Sequence, residues 1–306
     1  MLRRRWVDAV VVVVVVLAFV LAPQAYSNET LLFQMMVYIA LSQGVNILYG
    51  FTGYLPFGYV GFFGIGAYGA SLLMLHLNWP PILALLGGGA IAVLLGLVLS
   101  PLLRLSGAYF AIASLAASQA VYLIVSNPAL QNVTYGPYGI QLVSQFNPTL
   151  SYYVMVVILA LTVAVVLYIR RSRFGTALQA MRDDPVSAAM AGVPVVRQRT
   201  FAWMISAGIA GLVGGAFAWQ TSVFYPDAVF SLSISIFAIV FTLFGGAGTL
   251  LGPLFGSVVL YGMYNTIGIS DPQYFQLIYG LLIILLVLFL PDGAASLLKR
   301  RGSHVL

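Results

Sequence analysis

The chain has 306 residues, of which 61% are hydrophobic and 7% charged, with a mean hydropathy of +1.02 and a formal charge of +6. A soluble globular chain carries roughly 25% charged residues, so this composition is that of an integral membrane protein. Cysteine is absent, which excludes disulfides and thiol chemistry, and the two histidines, His76 and His304, have no partner at metal-ligand spacing.

Apolar runs close to the roughly 20 residues that cross a bilayer recur through the sequence, continuous rather than alternating, which selects helices over a β-barrel. The class is all-α and polytopic, with about ten transmembrane helices and one membrane domain over residues 1–306. Arg3, Arg4 and Arg5 precede a valine-rich first span at 7–22. Followed by APQA, this run also resembles a secretory signal peptide with Ala25 as the cleavage point.

The second span, 31–50, carries Gln43 and Asn46 three residues apart on one helical face. Neutral polar groups in such a place either bond to a neighbouring helix or line a path for a polar solute. Residues 50–69, GFTGYLPFGYVGFFGIGAYG, hold glycine at Gly58, Gly61, Gly64 and Gly66 among others. Two readings fit: close packing through small faces, or a discontinuous helix beside a translocation path.

Spans at 58–77, 82–103 and 107–126 follow, then the stretch SNPALQNVTYGPYGIQLVSQFNPT over 126–149, whose Asn, Pro and Gly break any helix. After a span at 151–169 comes the polar stretch RRSRFGTALQAMRDDPVSAAMAGVPVVRQR, 170–199. Within it Asp184 is an N-cap, Pro185 a first helical residue, and Gly192 with Pro194 a stop. The spacing predicts a helix of about two turns, too short to stand alone in water, and a companion helix over Phe174–Arg182.

Four more spans, 200–221, 231–245, 250–268 and 274–290, complete the set. Between and within them FGGAGTLLGPLFGSVV, 244–259, repeats the glycine and proline interruption, with Gly246, Gly248 and Gly252. Setting Gly58 against Gly252 suggests an internal repeat of the kind found in transporters. The candidate translocation path is therefore Gln43, Asn46, Gly58, Gly61, Gly64, Gly66, Gly246, Gly248 and Gly252.

Every lysine and arginine falls on one side of this arrangement, while Glu29, Asp227 and Asp271 fall on the other. By the positive-inside rule both termini are cytoplasmic. The cations end apolar runs rather than forming an aromatic-laced face, so nucleic acid is not a partner, whereas membrane lipid is. Lys299 is the sole lysine, so no GxxxxGK[ST] phosphate loop exists and the chain itself hydrolyses no ATP. No nucleophile and base are set together, which makes the chain a transporter component rather than an enzyme, with no cofactor of its own. The near absence of ionisable groups in the spans argues against a proton relay.

SRFGTALQAMRDDPVSAAMAGV with RQRTFAWMISAGIAGLVGGAFA resembles the permeases of branched-chain amino acid ABC importers, and PFGYVGFFGIGAYGASLL and FGGAGTLLGPLFGSVV are similar to two further segments in the same order. The length and long first span are those of the M-type subunit. The resemblance implies a type II importer-like permease of the bacterial inner membrane, paired with a second homologous permease, two cytoplasmic ATPase subunits that supply ATP hydrolysis, and a periplasmic solute-binding protein. It also implies that residues 170–199 couple to the ATPase through Arg182, Asp183, Asp184, Pro185, Ser187, Ala188, Ala189 and Gly192. The family commonly has Asn-Glu where this chain has Asp183 and Asp184, and Ile-Arg at Met181 and Arg182. A self-contained secondary transporter or channel for a small polar solute is the alternative that the residues alone leave open.

Overall fold

A computed structural model describes residues 14–24, 26, 28–268, 280 and 281. Each long helix starts where capping chemistry starts it. Helix α1 is described over Val14–Gln24. Helix α2, Glu29–Val45, begins at Asn28, whose side chain accepts from the Leu31 N–H, and runs on as a π-helical turn, Asn46–Gly50. A link with the 3-10 turn Phe57–Tyr59 leads to α3, Val60–His76. Helix α4, Pro81–Val98, has proline at its first position, and α5 is Gly107–Val125.

Short helix α6, Gln131–Thr134, and strand β1, Ile140–Gln141, lie within the segment expected to hold no helix. One-turn helices survive there because Asn127 caps the 3-10 turn Pro128–Leu130, and Thr134 Oγ1 donates to the Val125 carbonyl. Helix α7, Pro148–Arg171, is capped by Asn147 and followed by α8, Arg173–Asp183, and α9, Pro185–Met190. Then come α10, Val195–Thr221, strand β2, Val223–Phe224, α11, Pro226–Val229, α12, Leu232–Gly245, and α13, Leu251–Met263, with a terminal π-helical turn Tyr264–Gly268.

Among the described residues seven helices are long and apolar enough to cross a membrane, against about ten expected. They are Glu29–Gly50, Phe57–His76, Pro81–Val98, Gly107–Val125, Pro148–Arg171, Val195–Thr221 and Pro226–Gly245. The expected 250–268 span is the shorter α13 with its π turn, and the 7–22 span is described only from Val14. Apart from residues 280 and 281, the 274–290 span lies outside the described residues, as do Ala25, Arg3 to Arg5, Lys299 and His304. The described arginines cluster at one end of the bundle, with Glu29 and Asp227 at the other.

Helices α2 and α3 are the most enclosed, whereas α4 and α5 turn most of their surface outward. The outward rows are apolar, for example Leu86, Leu94 and Leu97 on α4 and Ile112 and Leu123 on α5, as a lipid-facing surface requires. The centre is a three-helix contact of α3, α4 and α10. There a β-carbon on Gly66 would lie 2.3 Å from the Gly211 Cα, and one on Gly88 would lie 2.5 Å from the Gly66 carbonyl oxygen. Small residues let backbones meet, which is how apolar helices gain dispersion energy where no water drives them together. Trp203 Nε1 donates to the Gly96 carbonyl across the same contact, at 2.9 Å.

At the end away from the arginines, β1 pairs antiparallel with β2, Ile140 opposite Phe224. The strands pin the 126–147 segment over the bundle, helped by Trp219 Nε1 donating to the Gln145 carbonyl and Gln145 Nε2 to that of Met74. His76 is engaged here, stacked on Tyr135 with Nε2 3.2 Å from the Val133 oxygen. No group of three His, Asp or Glu is placed to hold a metal among the described residues.

Candidate coupling loop and glycine-broken corner

Residues 170–199 fold as a helical pair leaning on the arginine end of the bundle. Ser172 caps α8 by accepting from the Gly175 N–H, and Leu178 and Met181 are buried as its anchor. Asp184 ends α8 and starts α9: its N–H donates to the Ala180 carbonyl, while its carboxylate accepts from the Val186 N–H at 2.9 Å and from the Ser187 hydroxyl at 2.5 Å. These donors, the hydroxyl first, hold the Asp184 carboxyl below its ordinary pKa. Pro185 occupies the first helical position, where a missing N–H costs nothing.

The other end of α9 is closed by a Schellman motif. The Gly192 N–H donates to the Ala189 carbonyl and the Val193 N–H to the Ala188 carbonyl, both at 3.0 Å, with Gly192 at φ +88°. Ala188 faces inward and is buried, so it seats the helix rather than presenting it. Asp183, Asp184, Ser187 and Ala189 are exposed. Two residues overlooked in sequence stand out beside them: Val186 and Met190, one helical turn apart, are 67% and 85% exposed. Their i, i+4 spacing was the available signal.

Arg182 behaves differently from its neighbours. Much of its side chain is exposed, yet Nη1 turns inward and donates to the Gly50 carbonyl at 2.5 Å, at the end of the π turn that extends α2. Beside it the chain breaks between α12 and α13, with Gly246 at φ +107° and Gly248 at φ +83°. The freed backbone groups of that break are taken up by α2. Asn46 Oδ1 accepts from the Gly248 N–H at 2.7 Å and Asn46 Nδ2 donates to the Thr249 carbonyl at 2.8 Å, while Gln43 Nε2 donates to the Leu250 carbonyl at 2.6 Å. Gln43 and Asn46 are fully buried, so they serve as helix-to-helix ties. Gly252 closes the break, its N–H on Thr249 Oγ1 at 3.0 Å, and a β-carbon there would lie 2.5 Å from the Gly246 and 2.6 Å from the Gly245 carbonyl oxygen.

The first glycine segment is built for packing. Helix α3 is unbroken from Val60 to His76, while the first part of the segment is interrupted, with Gly53 at φ +77° in a non-helical link and Gly58 outside helical angles at a kink. Gly61 meets Ser118, Gly64 meets the Phe230 ring and Gly66 meets Gly211, while a β-carbon on Gly58 would fall 1.8 Å from the Ser114 carbonyl oxygen. Gly58 and Gly61 line a void of about 10 Å³, room for a single water.

A larger cavity of about 380 Å³ opens in the half of the bundle away from the arginines, between α2, α3, α10, α11, α12 and α13. Gln34, Tyr38, Ser231 and Tyr261 give it polar atoms, and Phe63 and Phe217 give it apolar walls. Gln34 and Tyr38 begin a ridge of α2 that winds at four-residue intervals through Ser42 and Asn46 to Gly50. Ser42 lies 3.0 Å from the Ser257 hydroxyl and its carbonyl accepts from Thr242 Oγ1, so the ridge bonds both α12 and α13. This period of four was legible in the sequence, but it is invisible to a search for single polar residues.

A family model described as the permease component of the branched-chain amino acid transport system matches residues 27–287. The high-affinity branched-chain amino acid transport system permease protein LivM of Salmonella typhimurium is 28% identical, over 84% of this chain and 67% of that one. Its namesake in Escherichia coli strain K12 is 27% identical over the same shares. The fructose import permease protein FrcC of Rhizobium meliloti is 36% identical, over 43% of this chain and 39% of its own. No solved structure matches. Running through all but the ends of the chain, the family match covers both the broken corner and the capped loop, and the chain belongs to the family of branched-chain amino acid transport system permease components.

Proposed function

We propose that the chain is the membrane-spanning permease subunit of an ATP-driven ABC importer for branched-chain or similar hydrophobic amino acids, set in a bacterial inner membrane. It pairs with a second homologous permease and two cytoplasmic ATPase subunits, and takes its solute from a periplasmic binding protein. Both termini and the arginine end face the cytoplasm, with about ten spans in all, and the two glycine interruptions belong to related halves of the chain. Support for the sidedness is the one-sided arginine distribution. Support for the two halves is that the chain is interrupted at glycines in each, with Gly53 at φ +77° in the first and Gly246 and Gly248 at φ +107° and +83° in the second.

One observation carries the coupling role: a six-residue helix, capped at both ends, stands at the arginine end with Val186 and Met190 uncovered. Two exposed apolar side chains on a short helix in water have no stabilising cover among the described residues, and a groove on a soluble subunit supplies one. Apart from charges near their ends, the described membrane spans carry apolar and neutral polar residues, so transport energy comes from the partner. Purification of the tagged chain from its own membranes in mild detergent is expected to bring down ATPase subunits in stoichiometric amount. A Val186→Asp, Met190→Asp double variant that inserts normally is expected to lose them. Recovery of a folded permease without any ATPase, from membranes in which both are expressed, overturns the assignment.

A further inference from the structure

Arg182 points away from the surface that α9 presents, and its target is informative. The Gly50 carbonyl lies in the last turn of α2, where carbonyls lack helical partners and carry the negative end of the helix dipole, so a guanidinium is the fitting donor. The same guanidinium stands against the second break: a β-carbon on Gly248 would lie 3.4 Å from Arg182 Nη1 and 3.1 Å from the Gly50 oxygen. On Gly53, at φ +77°, one would lie 3.5 Å from Arg182 Cγ. Arg182 therefore sits in a pocket made of three glycines from the ends of two different membrane segments.

Behind that pocket the connection is continuous in both directions. Towards the loop, Arg182 belongs to the last turn of α8, which is joined to α9 by the single residue Asp184. Towards the bundle, Gly50 lies four residues from Asn46, which holds Gly248 and Thr249, and the same ridge of α2 winds through Ser42 to Tyr38 and Gln34 at the 380 Å³ cavity. We infer that Arg182 is a positioning residue that ties α8–α9 to the α2 end and the α12–α13 break, so that a displacement of the loop reaches the helix face lining the cavity. The inference rests on the proposed coupling role of α9, but the tie itself is a property of this chain alone.

Two readouts separate the tie from that role. In the full chain reconstituted in nanodiscs, a single cysteine at Ala247, within the break, reports whether the break is held. Arg182→Ala is expected to raise its rate of thiol modification about fivefold, the factor that corresponds to one lost hydrogen bond of average net strength. Arg173→Ala, which removes a charge from the same helix, leaves that rate unchanged. In vesicles holding the complete transporter, Arg182→Ala is expected to lower the solute taken up per ATP hydrolysed severalfold, while Arg173→Ala leaves that ratio unchanged. Should the alanine variant not fold, Arg182→Met, which keeps the apolar stem and removes the donors, is read in both assays with the same expected directions. A raised thiol rate in a chain that binds no ATPase keeps the tie and removes the importer reading. An unchanged thiol rate at Ala247→Cys, or an unchanged uptake per ATP in the assembled complex, overturns the tie.

Discussion

Gly192 and Asp184 mark the two ends of α9, and their tolerances differ for physical reasons. Nothing approaches within 4 Å of where a Gly192 β-carbon would stand, so the obstacle to substitution is the φ of +88° itself. Gly192→Val is expected to destabilise the helix locally by at least about 1 kcal/mol, whereas Gly192→Asn, which tolerates the left-handed region, keeps most of the function. Uptake in vesicles with all subunits present distinguishes them; equal uptake by the valine variant would show that α9 needs no defined end. At Asp184 the sign follows from the lowered pKa. Its carboxylate contributes its stabilisation above the unfolded-state value and loses it as pH falls through the lower folded value, so the cap persists through neutral and mildly acidic conditions. Asp184→Asn, which keeps an acceptor oxygen, is expected to hold α9 better than Asp184→Ala.

Among the membrane elements, helix packing decides which glycines matter. Gly66→Ala must part α3 from α10, because its β-carbon would meet Gly211 backbone at 2.3 Å, and it is expected to cost roughly 1–3 kcal/mol. Gly262→Ala, in α13 with nothing within 4 Å, is expected to be neutral or to gain up to about 1 kcal/mol from reduced backbone entropy in the unfolded state. Thermal unfolding of the two purified variants in one detergent gives the comparison, and similar melting temperatures would contradict the three-helix contact. In sequence these two glycines look alike. So do the polar residues of α2: Gln43 and Asn46 could be seen to share a face, but their partners Leu250 and Thr249 lie 207 and 203 residues away. Local spacing carries no information over such a separation.

Across the whole molecule, the arginine distribution predicts sidedness, and the lack of cysteine makes it directly testable. Ser187 and Asn132 are both exposed, at opposite ends of the bundle. In intact cells an impermeant thiol reagent is expected to modify Asn132→Cys and to spare Ser187→Cys until the membrane is opened. Modification of Ser187→Cys from outside would reverse the orientation. By itself the sequence determined the membrane class, the seven long spans to within a few residues, the one-sided arginines and the capped helix α9, because hydropathy and capping act within one element or over a few residues. Only the tertiary structure decided that Gly61, Gly64 and Gly66 are packing contacts, that Gln43 and Asn46 serve a distant break, that Ala188 faces inward and that Arg182 turns from the loop into the bundle. Membrane helices that are apolar on nearly every side carry little sign of which face meets which neighbour, so those contacts exist only once the helices have packed.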